Sequence, residues 1–312
     1  MLAKIVSLKK TPNDTLVDGQ GRTYQFCANR HMYQVCNGIV PVDGRQDNNT
    51  LCSTCQLNRT IPVVERAKNL LRWQRLEAAK RRMIAGLATM GLQVGSGNKN
   101  TAGPMRFDFM EDKRSHPDVL EHFVSTGHKN GLITINLMEA DDVQRVRQRE
   151  LSGERQRTLL GHFRHEAGHY FYPQLVVDID AFKVLFGDPF MSYELALRRY
   201  YDEGPSADWE SSFISAYASS HPLEDWAECF AHVLHIQDGL ETAAAYGLID
   251  PNIKAATLTE KLRYWNDFVI SINEVNRSLG VKDAYPFFIS QTVNAKMSFV
   301  HESIYKLTAI RA

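Results

Sequence analysis

The chain has 312 residues, 44% of them hydrophobic, with 36 Lys plus Arg set against 36 Asp plus Glu. That length and apolar content suffice for a large core with room for a small accessory module. The charge balance argues against a nucleic-acid partner or a membrane surface, and five cysteines, an odd number, fit reduced thiols and metal ligands better than a disulfide framework.

Met1 to Lys10 lacks an apolar run long enough for a signal peptide, and Met83 to Gly95 is too short and glycine-interrupted to cross a bilayer. A cytoplasmic protein is expected. Residues 1–62 read as a zinc-ribbon module: they are rich in Asn, Gly, Asp, Thr and Gln and hold Cys27, Cys36, Cys52 and Cys55. Cys52-Ser53-Thr54-Cys55 is a C-x-x-C knuckle, a spacing that suits thiolates around a tetrahedral structural zinc whose binding energy becomes folding energy. The first pair is wider, with eight residues between Cys27 and Cys36, and His31 stands nearby as a substitute ligand. Four cysteines, or three plus His31, are both open from spacing.

Ile61-Pro62 closes this module, and residues 63–312 form the second predicted domain. Val63 to Met90 reads as one long helix, with Leu70, Leu71, Trp73, Leu76, Ile84 and Leu87 facing a core. Lys68, Arg72, Arg75, Lys80, Arg81 and Arg82 would form a solvated face. After a glycine-rich loop over 91–104, Met105–Phe109 and Gly131–Leu137 alternate as strands. A strand so close before the next segment could offer an exposed edge to an extended peptide. Asp141 to Gln148 reads as a polar helix.

His165-Glu166-Ala167-Gly168-His169 is an H-E-x-x-H pentapeptide in a helix predicted to start near Glu154. Histidines four apart share one helical face and can reach a single metal, while the Glu beside them can act on a water as general base. Flanking apolar residues bury this helix, and buried imidazoles and carboxylates need a reason to be there. The extended motif with a third His fails, because Tyr172 and Leu175 stand at its Gly and His positions. The third ligand must therefore come from elsewhere. The best source is the acidic segment opened by His221-Pro222, where Glu224, Asp225 and Glu228 are all open as ligand, the others orienting a histidine.

Between Pro173 and His221 come helical pieces bounded by Gly187-Asp188-Pro189 and Gly204-Pro205. Most of their aromatics, which include Phe182, Phe186, Phe190, Tyr193, Tyr200, Tyr201, Trp209, Phe213 and Tyr217, are core by default. Leu258, Leu262, Trp265, Phe268, Ile272, Val275 and Leu279 recur at threes and fours, predicting a core-facing helix, and Pro286 to Leu307 predicts one or two more.

The chain resembles a bacterial family of zinc-binding metallopeptidases with an N-terminal zinc ribbon. The likeness covers most of residues 25–250, through Cys52–Pro62, Glu77–Arg82, Thr126–Thr134, Arg157–Glu166, Phe186–Asp188, and Ile214–Ala218 through Ala231-His232. It implies a helix-dominated α+β, zincin-like fold. The segment Glu224-Asp225-Trp226-Ala227-Glu228 is similar to the ligand segment of gluzincins, whose first acid binds the metal; that likeness selects Glu224, with Glu228, Asp225 and His232 behind the ligands. The likeness implies zinc and a peptidase-like fold and supplies no substrate; the function expected from the motifs is a zinc-dependent peptidase acting on peptide or isopeptide bonds of a peptide or protein substrate. It would use one catalytic and one structural zinc, Glu166 as base, and Tyr217 or His221 as oxyanion donor with Tyr170 and His232 behind them. The competing reading is a regulatory zinc-binding protein that recognises a protein or nucleic acid through its ribbon.

Overall fold

Short runs of β-formers at the N-terminus build an antiparallel meander. Its strands are β1 (Lys9–Lys10), β2 (Leu16–Val17), β3 (Thr23–Phe26) and β4 (Ile39–Pro41), paired in that order. A short helix, α1 (Ala28–Tyr33), lies between β3 and β4. In this computed structural model the described residues are 8–11, 15–42, 44, 49–95, 103–146 and 158–311. Chain contacts define two compact units, one of residues 1–89 and 93–145, the other of 90–92 and 146–312.

The first unit also holds a second sheet, ordered β5 (Asn58–Thr60), β6 (Arg106–Met110), β8 (Leu132–Asn136) and β7 (Gly127–Lys129). β6 pairs in parallel with β5 and β8, and β7 with β8 antiparallel. The strand predicted over 131–137 is therefore an interior strand and offers no free edge to a peptide. Its hairpin partner β7 went unpredicted, although Asn130-Gly131 at φ 50° and 83° is the turn that such a two-residue connection demands.

Helix α2 (Asn69–Thr89) starts six residues later than predicted, because Lys68 sits at φ 68°, outside helical space. Trp73, Leu76 and Leu87 are fully buried as expected, but Leu70 and Leu71 are exposed. The supposedly solvated basic face is partly interior. Arg72 pairs with Asp141, and Lys80, buried with Glu77, donates to Glu77 at 2.8 Å and to Asn58, its ammonium lying over the rings of Phe107 and Phe109. Arg59 pairs with Asp108 on β6. Two of the segments that carry the family likeness, Cys52–Pro62 and Glu77–Arg82, thus meet in one buried polar network that ties the ribbon to α2.

The second unit is helical. Its elements are α3 (Leu159–Leu175), α4 (Ile179–Phe186), α5 (Tyr193–Glu203), α6 (Pro222–Ala245), α7 (Leu258–Ser278) and α8 (Gln291–Arg311). The start predicted for α3, near Glu154, and the end of the polar helix lie outside the described residues, though 142–146 are helical. Thr158 caps α3, its side chain accepting from the Gly161 N–H, and Pro173 falls within its last turns. Of the nine aromatics between 173 and 221, expected mostly in the core, Phe182 and Phe186 are buried; Phe190, Tyr193 and Tyr201 are exposed. Leu258, Leu262 and Trp265 bury the first half of α7, whereas Val275 and Leu279 are exposed where it runs past its partners. One helix, α8, fills most of the C-terminal span. Among the described residues no helix is long and apolar enough to cross a membrane. The whole is a helix-dominated α+β architecture.

Candidate metal centres

Cys27 caps α1, Cys36 follows it, and Cys52 and Cys55 flank the turn before β5. All four are buried and free, with sulfurs within 4.8 Å of one another. Cys36 Sγ and Cys52 Sγ are 3.7 Å apart; four sulfurs about 2.3 Å from one zinc would sit about 3.8 Å from each other, so this donor set fits a closed tetrahedral site. His31 is exposed and packs against Phe26, and the donors grouped here are the four cysteines. The Gly38 N–H donates to Cys36 Sγ at 3.1 Å, and a Cβ on Gly38 would lie 2.5 Å from Cys52 Sγ. Only glycine allows the backbone this close to the sulfurs.

The second group forms where α3 meets α6. Gly168 is the contact point: a Cβ there would lie 2.9 Å from Ala227 Cα and 3.2 Å from Ala227 O, and Trp226 Nε1 donates to Gly168 O at 2.9 Å. Further along, buried Arg164 donates to Asp238 at 2.6 Å and meets His235 Nδ1 at 2.6 Å. This close crossing brings Glu224, in the first turn of α6, onto the two histidines. His165 Nε2 is 2.9 Å from Glu224 Oε2, His169 Nε2 is 3.3 Å from Glu224 Oε1, and the two Nε2 atoms are 3.1 Å apart. Ligands at about 2.0–2.2 Å from a tetrahedral zinc would be spaced by about 3.3–3.6 Å, so small shifts accommodate the ion.

Around this triangle the remaining groups divide by what they touch. Glu228, one turn beyond Glu224, accepts from His165 Nδ1–H at 2.7 Å and from Ser215 Oγ at 2.7 Å. That bond orients the ring so that Nε2 faces Glu224 and His169, and in the neutral imidazole it keeps the proton on Nδ1 and leaves Nε2 for a metal. Burial alone would lower the pKa of His165, but Glu224 and Glu228 outweigh it and raise it well above the usual value. Burial would likewise raise Glu228, yet His165 holds it at about 2. Glu166 is buried beside the ligands, and its Oε2 has no hydrogen-bond partner among the described residues. An orphaned carboxylate oxygen next to a triad of metal donors is the expected state of a base that waits for a water.

Asp225 points elsewhere. Its Oδ2 accepts from Lys296 Nζ at 2.5 Å, Lys296 also donates to the Ser212 carbonyl at 2.7 Å, and Cys229 Sγ lies 3.7 Å from Asp225 Oδ1. The ligand question among Glu224, Asp225 and Glu228 thus resolves geometrically to Glu224. Burial pushes the Asp225 pKa up to about 7 against the pull of Lys296. An acid with a raised folded-state pKa holds its proton more tightly folded than unfolded, so ionising it costs stability as pH rises through that window. Lys296→Met should therefore destabilise by about 3–5 kcal/mol, more at about pH 8 than at about pH 6. Thermal unfolding at both pH values reads this out, and an unchanged Tm would show the pair to be idle.

The oxyanion candidates fare unevenly. His221 caps α6 with both nitrogens engaged: Nδ1 accepts from the Leu223 N–H at 3.1 Å, and Nε2 donates to Met191 O at 3.3 Å. It has no donor left to offer a substrate, which corrects the role expected of it. His232 Nδ1 is bonded to Tyr285 OH at 2.7 Å beneath Phe287, and Tyr170 is buried against Phe171, so neither lines the triangle. Tyr217 does stand close, its ring 5.9 Å from that of His165. The residue missed from the sequence is Tyr193, whose hydroxyl donates to Glu224 Oε1 at 2.7 Å. Burial, then the charge of Glu224, raises the pKa of both phenols, so each stays a donor. Nothing local marks Tyr193, because it reaches Glu224 across 31 residues of chain.

A family model described as "Putative zinc-binding metallo-peptidase" matches residues 69–303, three-quarters of the chain, and a model described as "zinc-ribbon domain" matches residues 2–66. The chain belongs to that metallopeptidase family. Its second unit carries the His165, His169 and Glu224 candidate zinc site and its first unit the four-cysteine group. Uncharacterized proteins of Mycobacterium tuberculosis (strains H37Rv and CDC 1551) and of Mycobacterium bovis are each 39% identical over 297 residues, covering 92% of this chain and 84% of theirs. No solved structure matches the chain.

Proposed function

We propose that this family member is a zinc-dependent hydrolase of peptide or isopeptide bonds in protein or peptide substrates. The observation that carries it is the His165, His169 and Glu224 triangle with buried, unpartnered Glu166 Oε2 beside it. When bound, zinc would supply a Lewis acid that polarises the carbonyl and lowers the pKa of a water. Glu166 takes a proton from the attacking water as the new C–O bond forms, and delivers it to the amine nitrogen as the C–N bond breaks, one water being consumed per cleavage. Glu228 keeps His165 in the tautomer that leaves Nε2 free for the metal.

Glu166 Oε2, buried without a partner among the described residues and on the same helix turn as the two histidines, supports the hydrolase over a regulatory zinc protein. The ribbon stays structural in this reading, and five free thiols accord with a reducing, cytoplasmic setting. The test is metal analysis joined to cleavage of a quenched-fluorescent peptide library. Two zincs per chain with library cleavage are expected, falling to one zinc and no cleavage in His165→Ala. A single zinc in both proteins would sink the proposal.

A further inference from the structure

Tyr193 begins α5, and α5 differs from every other helix of its unit in having no buried residue. It is bracketed by Gly187 at φ 95°, ψ −175° and Gly204 at φ 78°, ψ −178°. Both lie in a region of backbone space essentially closed to side-chain-bearing residues. An eleven-residue helix between two glycine-only joints, with nothing sunk in the core, is held mainly by what its side chains reach. It touches the metal-ligand group through two tyrosines. The Tyr193 hydroxyl is bonded to Glu224 Oε1, the oxygen 3.3 Å from His169 Nε2, and the Tyr200 ring meets that of Tyr217 edge-on at 5.9 Å.

We infer that Tyr193 is the catalytic donor to the substrate's carbonyl oxygen, delivered by α5 swinging on Gly187 and Gly204; this assignment rests on the hydrolase reading. Released from Glu224 Oε1, the phenol would still lie beside His165, His169 and Glu224, the residues that would hold the zinc. As the carbonyl oxygen gains charge, Tyr193 donates to it without losing its proton, so the bond is worth most in the transition state. The competing donors are committed elsewhere: His221 by both nitrogens to backbone, His232 to Tyr285. Tyr217 stands beside Tyr193, its ring 5.9 Å from those of both His165 and Tyr200.

The test compares the zinc-loaded wild type with Tyr193→Phe, which keeps the ring and its contact with His221. Against the quenched-fluorescent peptide library, kcat should fall by about 10²–10³ with KM little changed. Independently of turnover, binding of N-phosphoryl-Leu-Trp, a tetrahedral oxyanion mimic, should weaken by about 10–100-fold, while acetohydroxamate, a planar chelator, binds both proteins alike. Full kcat in the variant, or equal losses for both probes, overturns the assignment and leaves the hydrolase reading intact. A wild type that neither cleaves the library nor binds the phosphoryl peptide overturns both.

Discussion

Glu166→Gln is expected to lower peptide hydrolysis by about 10²–10⁴-fold while both zinc ions stay bound. The amide has nearly the same shape as the carboxylate but cannot take a proton. Glu166 is absent from the triangle formed by His165, His169 and Glu224, so metal content should not change. Stability should not fall either. Glu166 Oε2 is buried without a partner among the described residues, so the amide gives up no hydrogen bond at that atom. The expected signature is lost turnover at an equal or higher Tm, a pattern typical of positions kept for chemistry at the expense of stability. Library cleavage, zinc analysis and thermal unfolding of one preparation check all three parts. Retained turnover would remove the base from the mechanism, and loss of the second zinc would make Glu166 a ligand.

Gly168→Ala should damage the second unit at the crossing that builds the metal-donor group. The added carbon would meet the backbone of Ala227 at 2.9 and 3.2 Å and Phe230 Cβ at 3.2 Å, so no flexible side chain can yield. α3 and α6 must move apart, and the Trp226 bond to the Gly168 carbonyl must stretch. Overpacking of this kind costs about 1–3 kcal/mol. The functional cost is larger, because His165 and His169 ride on one helix and Glu224 on the other. A shift of a few tenths of an ångström spoils a triangle only 2.9–3.3 Å on a side. Zinc affinity at this site should drop by about 10–100-fold, with the ribbon zinc unaffected. Chelator competition that counts the two zincs separately distinguishes this from general unfolding; equal loss of both would refute the helix-crossing explanation.

Much of the second site was legible because its signals are local. Two imidazoles four residues apart share a helix face whatever the fold, and Pro222 with acids after it marks a helix start. The four cysteines were legible by type, but spacing left His31 open until α1 turned it outward. The basic face of α2 was misread for a related reason: charge patterning assumes solvent on the polar side, and Glu77, Asn58 and the rings of β6 replace that solvent for Lys80. The aromatics between 173 and 221 were misread because hydrophobicity alone does not say which side of a short helix finds a partner. α5 finds none.

What the sequence by itself determined are the pieces whose geometry is set within one helical turn or one knuckle: the His165–His169 pair, Glu166 between them, the Cys52–Cys55 pair. Only the tertiary structure decided which acid joins them and which phenol attends them. Glu224, Asp225 and Glu228 are equivalent along the chain, and it is the approach of α6 to Gly168 that points the first at Nε2, the second at Lys296 and the third at Nδ1. Tyr193 could be found in no other way, since the contact that assigns it is made between helices and not within one.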